Sequence, residues 1–117
     1  MDHVALVVPI LPGKVDQMRV FYREVEGARR GAYEESERRL EITKEVAFLA
    51  QTEAGELAVI YIEAADFENA FGQFVASQGE FDLWFKDQVR EISGLDLNDP
   101  PEMALPEMLS VYSRKDE

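Results

Sequence analysis

The 117-residue sequence predicts an α+β domain, a four-stranded antiparallel sheet with its helices on one face. Three observations predict it. The stretch from Glu45 to Ala64, EVAFLAQTEAGELAVIYIEA, reads as a β-hairpin: two runs rich in Val, Ile, Leu, Phe and Tyr around a Gly-bearing turn. Helical apolar spacing precedes it and follows it. Short strand-like runs open and close the chain.

Taken in order, His3 to Leu11 reads as the first strand, with Val4, Leu6, Val8 and Ile10 as its bulky face and a lighter face of His3, Ala5, Val7 and Pro9. A Pro within a strand suits an edge or a strand end. Pro12-Gly13 breaks the run. Lys14 to about Leu40 is helical, on the recurrence of Val15, Met18, Tyr22 and Val25. Gly27 and Gly31 each cost about 1 kcal/mol relative to Ala in a helix interior. The reading is therefore either one kinked helix or two abutting ones, changing near Gly27.

The hairpin then has two competing registers. A two-residue Ala54-Gly55 loop pairs Phe48 with Tyr61, but its favoured form needs positive φ at Ala54. A three-residue loop of Glu53, Ala54 and Gly55 pairs Phe48 with Ile60, Val46 with Ile62 and Ala50 with Ala58. The second is preferred, because a slip of one residue mixes the faces. It leaves one face wholly apolar. The other, with Leu49, Val59 and Tyr61, is nearly so, and both faces call for cover.

Asp66 suits an N-cap, and Phe67, Ala70, Phe71 and Phe74 form the stripe of the next helix. Gly79 stops it, and a further helix carries Phe81, Trp84, Phe85, Val89 and Ile92 on one face, with Asp82, Lys86 and Arg90 spaced to pair on another. Gly94 ends it. The second helical region is thus split in two. An acidic loop from Leu95 to Pro106 leads to a last strand over Met108 to Ser113. Arg114 to Glu117 reads as a frayed tail. The whole of 1–117 is one domain, in the βαββαβ order of ferredoxin-like folds.

Composition excludes several function classes. The absence of Cys removes disulfides, thiol nucleophiles and thiolate metal sites, and a single His removes zinc sites that need two. No metal or cofactor is expected. A net charge of −12 argues against nucleic acid, which needs a basic footprint. No apolar run suits a membrane span and no basic leader opens the chain, so the expected location is cytoplasmic. Charge is uneven: Lys14 to Leu40 holds seven bases and six acids. That stretch is either a solvated helix laced with ion pairs, a self-association surface or a site for an anionic ligand. Asp96, Asn98 and Asp99 have the look of a calcium loop, but Pro100 and Pro101 stand where a ligand and Gly are needed.

PILPGK (Pro9 to Lys14), the Arg-rich first helix and FDLWFK (Phe81 to Lys86), together with the element order, resemble a small uncharacterised bacterial family within the dimeric α+β barrel superfamily. The resemblance implies a homodimer in which two sheets meet face to face, with a pocket between the sheet and helices of each protomer. It also implies the range of that superfamily: cofactor-free monooxygenase- or isomerase-like chemistry on a small aromatic or carboxylated substrate, or no catalysis at all, the sheet face then serving only assembly. None of the superfamily's catalytic motifs is matched here.

Six residues are candidates from their own chemistry. Arg29 falls mid-stripe on a straight helix, where it either clamps a carboxylate or phenolate with help from Tyr33 and Ser36 or, rotated outward by a kink, pairs with an acidic neighbour. Trp84 either stacks on a flat ligand or belongs to the core. Gln51 and Tyr61 either donate to a ligand carbonyl or hydrogen-bond across a dimer interface. His3 titrates near neutrality and is the obvious general base, with Tyr61 as the other group able to move a proton; a frayed or interfacial histidine is the competing reading. Glu34, Glu35 and Glu37 read as surface acids of the first helix.

Overall fold

The structure, a computed structural model, describes residues 1–114. Seven elements follow one another: β1 (Asp2–Pro9), α1 (Val15–Glu26), α2 (Arg30–Arg39), β2 (Ile42–Thr52), β3 (Gly55–Ala64), α3 (Phe67–Ala76) and α4 (Glu80–Ser93). The sheet is antiparallel and three-stranded, in the order β1-β3-β2. This overturns the expected four-stranded ferredoxin-like sheet, and with it the α+β barrel built from two such sheets. Met108 to Ser113 forms no strand, and its residues lie exposed. The physical reason lies in its side chains: Met108, Ser110 and Tyr112 share one side, Leu109, Val111 and Ser113 the other, so neither side is consistently apolar and no register buries it well. The tail expected over Arg114 to Glu117 lies outside the described residues from 115 onward.

Both helical regions divide. The first breaks between Gly27 and Arg29, and glycine is favoured at 27 because a Cβ there would meet the Arg23 carbonyl oxygen at 3.0 Å. The second breaks at Ser77–Gly79. Asp66 caps α3 by accepting from the Asn69 amide at 3.1 Å, and Gly94, left-handed at φ 80°, ends α4.

The hairpin adopts neither register expected of it. Thr52 pairs directly with Gly55, so Phe48 faces Val59, Val46 faces Tyr61 and Ala47 faces Ile60. Gly55 alone among the turn residues has positive φ, at 132°, and the Thr52 hydroxyl donates to its carbonyl at 2.7 Å. Glu53 and Ala54 thereby escape the left-handed strain that counted against a two-residue loop. A bulge between Ile42 and Lys44 shifts the pairing once more, and the Thr43 hydroxyl donates to the Glu63 carbonyl at 3.2 Å. The register places Leu49 on the face opposite to that expected, under the helices with Ala58 and Val8.

All four helices cover one face. Its core joins Ile10, Met18, Phe21, Val25 and Ile92, with Ile60, Ile62 and Ala64 as a second cluster. Phe21, Phe85 and Phe74 meet edge to face, at ring separations of 4.9 and 5.6 Å. The opposite face keeps Val7, Val46 and Phe48 exposed in the protomer.

Asp82 and Lys86, expected to pair with Arg90 on an outer face, are each only 1% exposed. Asp82 accepts from Ser36 on α2 at 2.6 Å, from Ser77 at 2.6 Å and from Arg39 at 2.7 Å. Lys86 donates to the carbonyls of Phe74, Val75 and Ser77, each at 3.0 Å, where α3 ends and carbonyls lack helical partners. Burial tends to raise the Asp82 pKa, but these three donors outweigh it and leave it below the ordinary value. Arg90 turns outward to Asp87 at 3.4 Å. Replacing Asp82 with Ala strands three donors, so urea denaturation should show a loss of about 3–5 kcal/mol with little change in the m-value.

Candidate functional site

Between the helices and the covered sheet face lies a cavity of about 140 Å³. Leu6, Val8, Ile60 and Ile62 form its floor, and Phe71, Phe74, Phe81 and Phe85 stand among its walls. Its lining is mostly apolar, which makes the polar groups on it conspicuous: Tyr22 from α1, Tyr33, Ser36 and Glu37 from α2, Glu45 from β2 and Ser93 at the end of α4.

Local sequence explains how these side chains arrive. On α2, Tyr33, Ser36, Glu37 and Leu40 recur at the i, i+3, i+4, i+7 spacing that presents one helix face inward. On β2, Glu45 alternates with Ala47 and Leu49, and it sits opposite Ile62 on the covered face. The bulge at Thr43 lets Ile42 line the cavity too. Ser36 is already committed to Asp82, a contact that ties this turn of α2 to α4.

Glu37 of α2 and Glu45 of β2 both line this cavity. Burial, then the charge and side chain of Glu45, push the Glu37 carboxyl up to about 9. Burial also raises Glu45, and the neighbouring Glu37 offsets only part of that rise. Both carboxyls thus favour the protonated form more than a solvated carboxyl does. Tyr22 and Tyr33 are both raised, first by burial and then by the charge of Glu45, and they stay neutral hydrogen-bond donors.

The six candidates from the sequence are dispersed. Tyr33 lies on the cavity, with its ring 6.0 Å from that of Phe81. Arg29 sits at the start of α2, donates through Nε to Glu24 at 2.7 Å and lies 4.0 Å over the Trp84 ring. Trp84 packs on Phe21 and Phe81. Neither Arg29 nor Trp84 contributes to the cavity lining, and Gln51 is exposed near the hairpin turn, opposite Glu56. His3 and Tyr61 do meet, but on the open sheet face: His3 Nδ1 lies 2.7 Å from the Tyr61 hydroxyl, which donates to Glu63 at 2.8 Å. With its only proton directed at Glu63, Tyr61 accepts from His3, whose proton is therefore on Nδ1. That bond to Glu63, followed by partial desolvation, raises the Tyr61 pKa.

Sequence reasoning missed Glu45 and Tyr22 as site residues and placed Glu37 on the surface. The signals were present, in the alternation of Glu45 with Ala47 and Leu49 and in the heptad-like spacing around Glu37.

Comparison with protein-family models, with curated proteins and with solved structures finds no match.

The folded chain keeps a proton on Glu37 that the unfolded chain releases. Its stabilising effect is complete below the ordinary carboxyl pKa of 4.5 and is lost as pH rises toward about 9. The melting temperature should accordingly fall between pH 5 and pH 8, with a slope no steeper than about 1.4 kcal/mol per pH unit for one proton. Glu37→Gln should flatten that slope in the same scans.

Proposed function

We propose that this chain is a homodimeric small-molecule-binding domain that holds a neutral, one-ring ligand in the cavity between its sheet and helices. The observation that carries the reading is the cavity itself, apolar except for two tyrosines, two serines and two glutamates. Its volume of about 140 Å³ suits a single ring; an apolar protein cavity of about 150 Å³ stays dry and takes up benzene. Burial raises the carboxyls of both Glu37 and Glu45, so the site favours neutral groups. An anionic, carboxylated ligand is disfavoured there, and a phenol or a ketone can use the tyrosine and carboxyl groups.

The dimer is supported by the open sheet face. Val7, Val46 and Phe48 lie together on it, at 50%, 36% and 55% exposure, beside Leu57 and Val59 of β3. Burial of apolar area is worth about 25 cal/mol per Å², and a two-fold axis lets one such patch cover its own copy. The same face favours the second reading, a non-catalytic assembly protein. The two readings separate on whether the cavity takes a ligand.

Calorimetric titration with phenol should give a dissociation constant of about 0.1–1 mM, and Ala70→Leu, which fills the cavity from α3, should abolish the heat. Phe48→Glu should halve the mass seen in sedimentation equilibrium and leave phenol binding intact. Phenol binding that is absent in the wild type, with the dimer intact, favours assembly alone.

A further inference from the structure

We propose that residues 107–114 of each copy form an exchanged arm, which lies across the open sheet face of its partner over the row Val7, Val59 and Phe48. This rests on the reading of the chain as a homodimer and names the segment that completes its interface.

The protomer leaves two apolar surfaces without cover. One is the open sheet face, where Val7 and Phe48 flank Val59 in register. The other is the segment after Pro106, where Leu109 is 86% exposed and Tyr112 84%, with Met108 and Val111 exposed beside them. Among the described residues, no backbone hydrogen bond ties 107–114 to the rest of the chain. The side-chain bond found there is local, from the Ser113 hydroxyl to the Arg114 carbonyl at 3.3 Å. Met108 to Ser113 carry no charge, between Glu107 and Arg114. A contiguous apolar surface of this kind marks an interaction site.

The course of the segment points to a partner rather than to its own sheet. Met103 to Pro106 share a groove with Val7 and Pro9 at the outer edge of β1, so the arm leaves the body at the rim of the open face. Turning back over that face needs a tight reversal at the exit. Pro106 fixes its own φ and favours an extended Leu105, and no Gly follows Gly94 in the sequence. The arm also carries apolar groups on both sides, Met108 and Tyr112 on one, Leu109 and Val111 on the other. Laid on its own sheet it keeps one of those sides in water. In the seam between two copies both are enclosed.

Length and area agree with this placement. Extended chain advances about 3.3 Å per residue and strands lie about 4.8 Å apart, so Met108 to Tyr112 spans about 13 Å and Val7 to Phe48 about 10 Å. The arm therefore crosses the strands of the row and adds no strand to the sheet. The exposed parts of Val7, Val46 and Phe48 amount to roughly 250 Å², well short of the roughly 800 Å² per partner of a stable interface. The four apolar side chains of the arm add roughly 500 Å², which brings the surface to that size.

The test uses the full chain, whose lack of Cys lets Leu109→Cys carry a single benzophenone label. Labelled chain is mixed with an excess of isotopically heavy, unlabelled chain, left to exchange subunits, irradiated and mapped by mass spectrometry. The expected result is a crosslink from the light arm to heavy peptides that hold Val7 or Phe48. In sedimentation equilibrium, the full-length double variant Leu109→Glu with Tyr112→Glu should weaken the dimer at least about 100-fold. Its far-ultraviolet circular dichroism should match wild type, since both side chains are exposed in the protomer. Absence of crosslinks to the heavy chain, or a double variant that dimerises like wild type, overturns the exchanged arm and leaves the homodimer standing. A wild-type chain that sediments as a 13.3 kDa monomer at micromolar concentrations overturns both.

Discussion

Asp82 and Lys86 are buried one turn apart on α4, and the helical layer depends on how they are satisfied. A charge taken out of water is costly unless its neighbours replace the lost hydration. Here the replacement is complete: Ser36, Ser77 and Arg39 surround the carboxylate, and three carbonyls at the end of α3 surround the ammonium. Among the described residues, no buried side-chain nitrogen or oxygen lacks a partner. Because the partners come from α2, the end of α3 and the α3–α4 joint, these segments and α4 are tied to one arrangement. Aromatic packing of Phe21, Phe74 and Phe85 fills the space around that arrangement but does not by itself choose it.

The cavity follows from this clamp. With α2 tied to α4 through Ser36, the turn carrying Tyr33, Ser36 and Glu37 is held over the sheet, where Glu45 comes up from β2. Helices fixed by polar contacts at one end cannot slide inward to close the space over Leu6 and Ile60. The carboxyl pair is thus held in an apolar setting by contacts outside the pair. The open sheet face has no such cover within the protomer, and its polar rim of His3, Tyr61 and Glu63 forms a hydrogen-bonded row.

Much of the fold was legible in local pattern. The bulky face of β1, the Asp66 cap, the divisions near Gly27 and Gly79 and the Gly94 stop all rest on residue types whose preferences act within a turn or two. The site was less so. Arg29 looked central because a straight helix puts it mid-stripe; the break at Gly27 rotates it to Glu24 and Trp84. Asp82 and Lys86 looked like an outer pair, since i,i+4 spacing says that two charges can meet but not whether the helix face between them is dry. Tyr33 was the one ligand candidate to reach the cavity.

From its own order of residues the chain determined an α+β class, the hairpin, the helical stripes and the lack of thiol chemistry, because backbone preference and apolar periodicity are local quantities. Tertiary structure alone decided the strand count, the hairpin register and the meeting of Glu37 with Glu45. Each depends on which surfaces end up facing one another. A slip of one residue in β2, or a bulge at Thr43, reverses which side chains are enclosed, and composition carries no record of that choice.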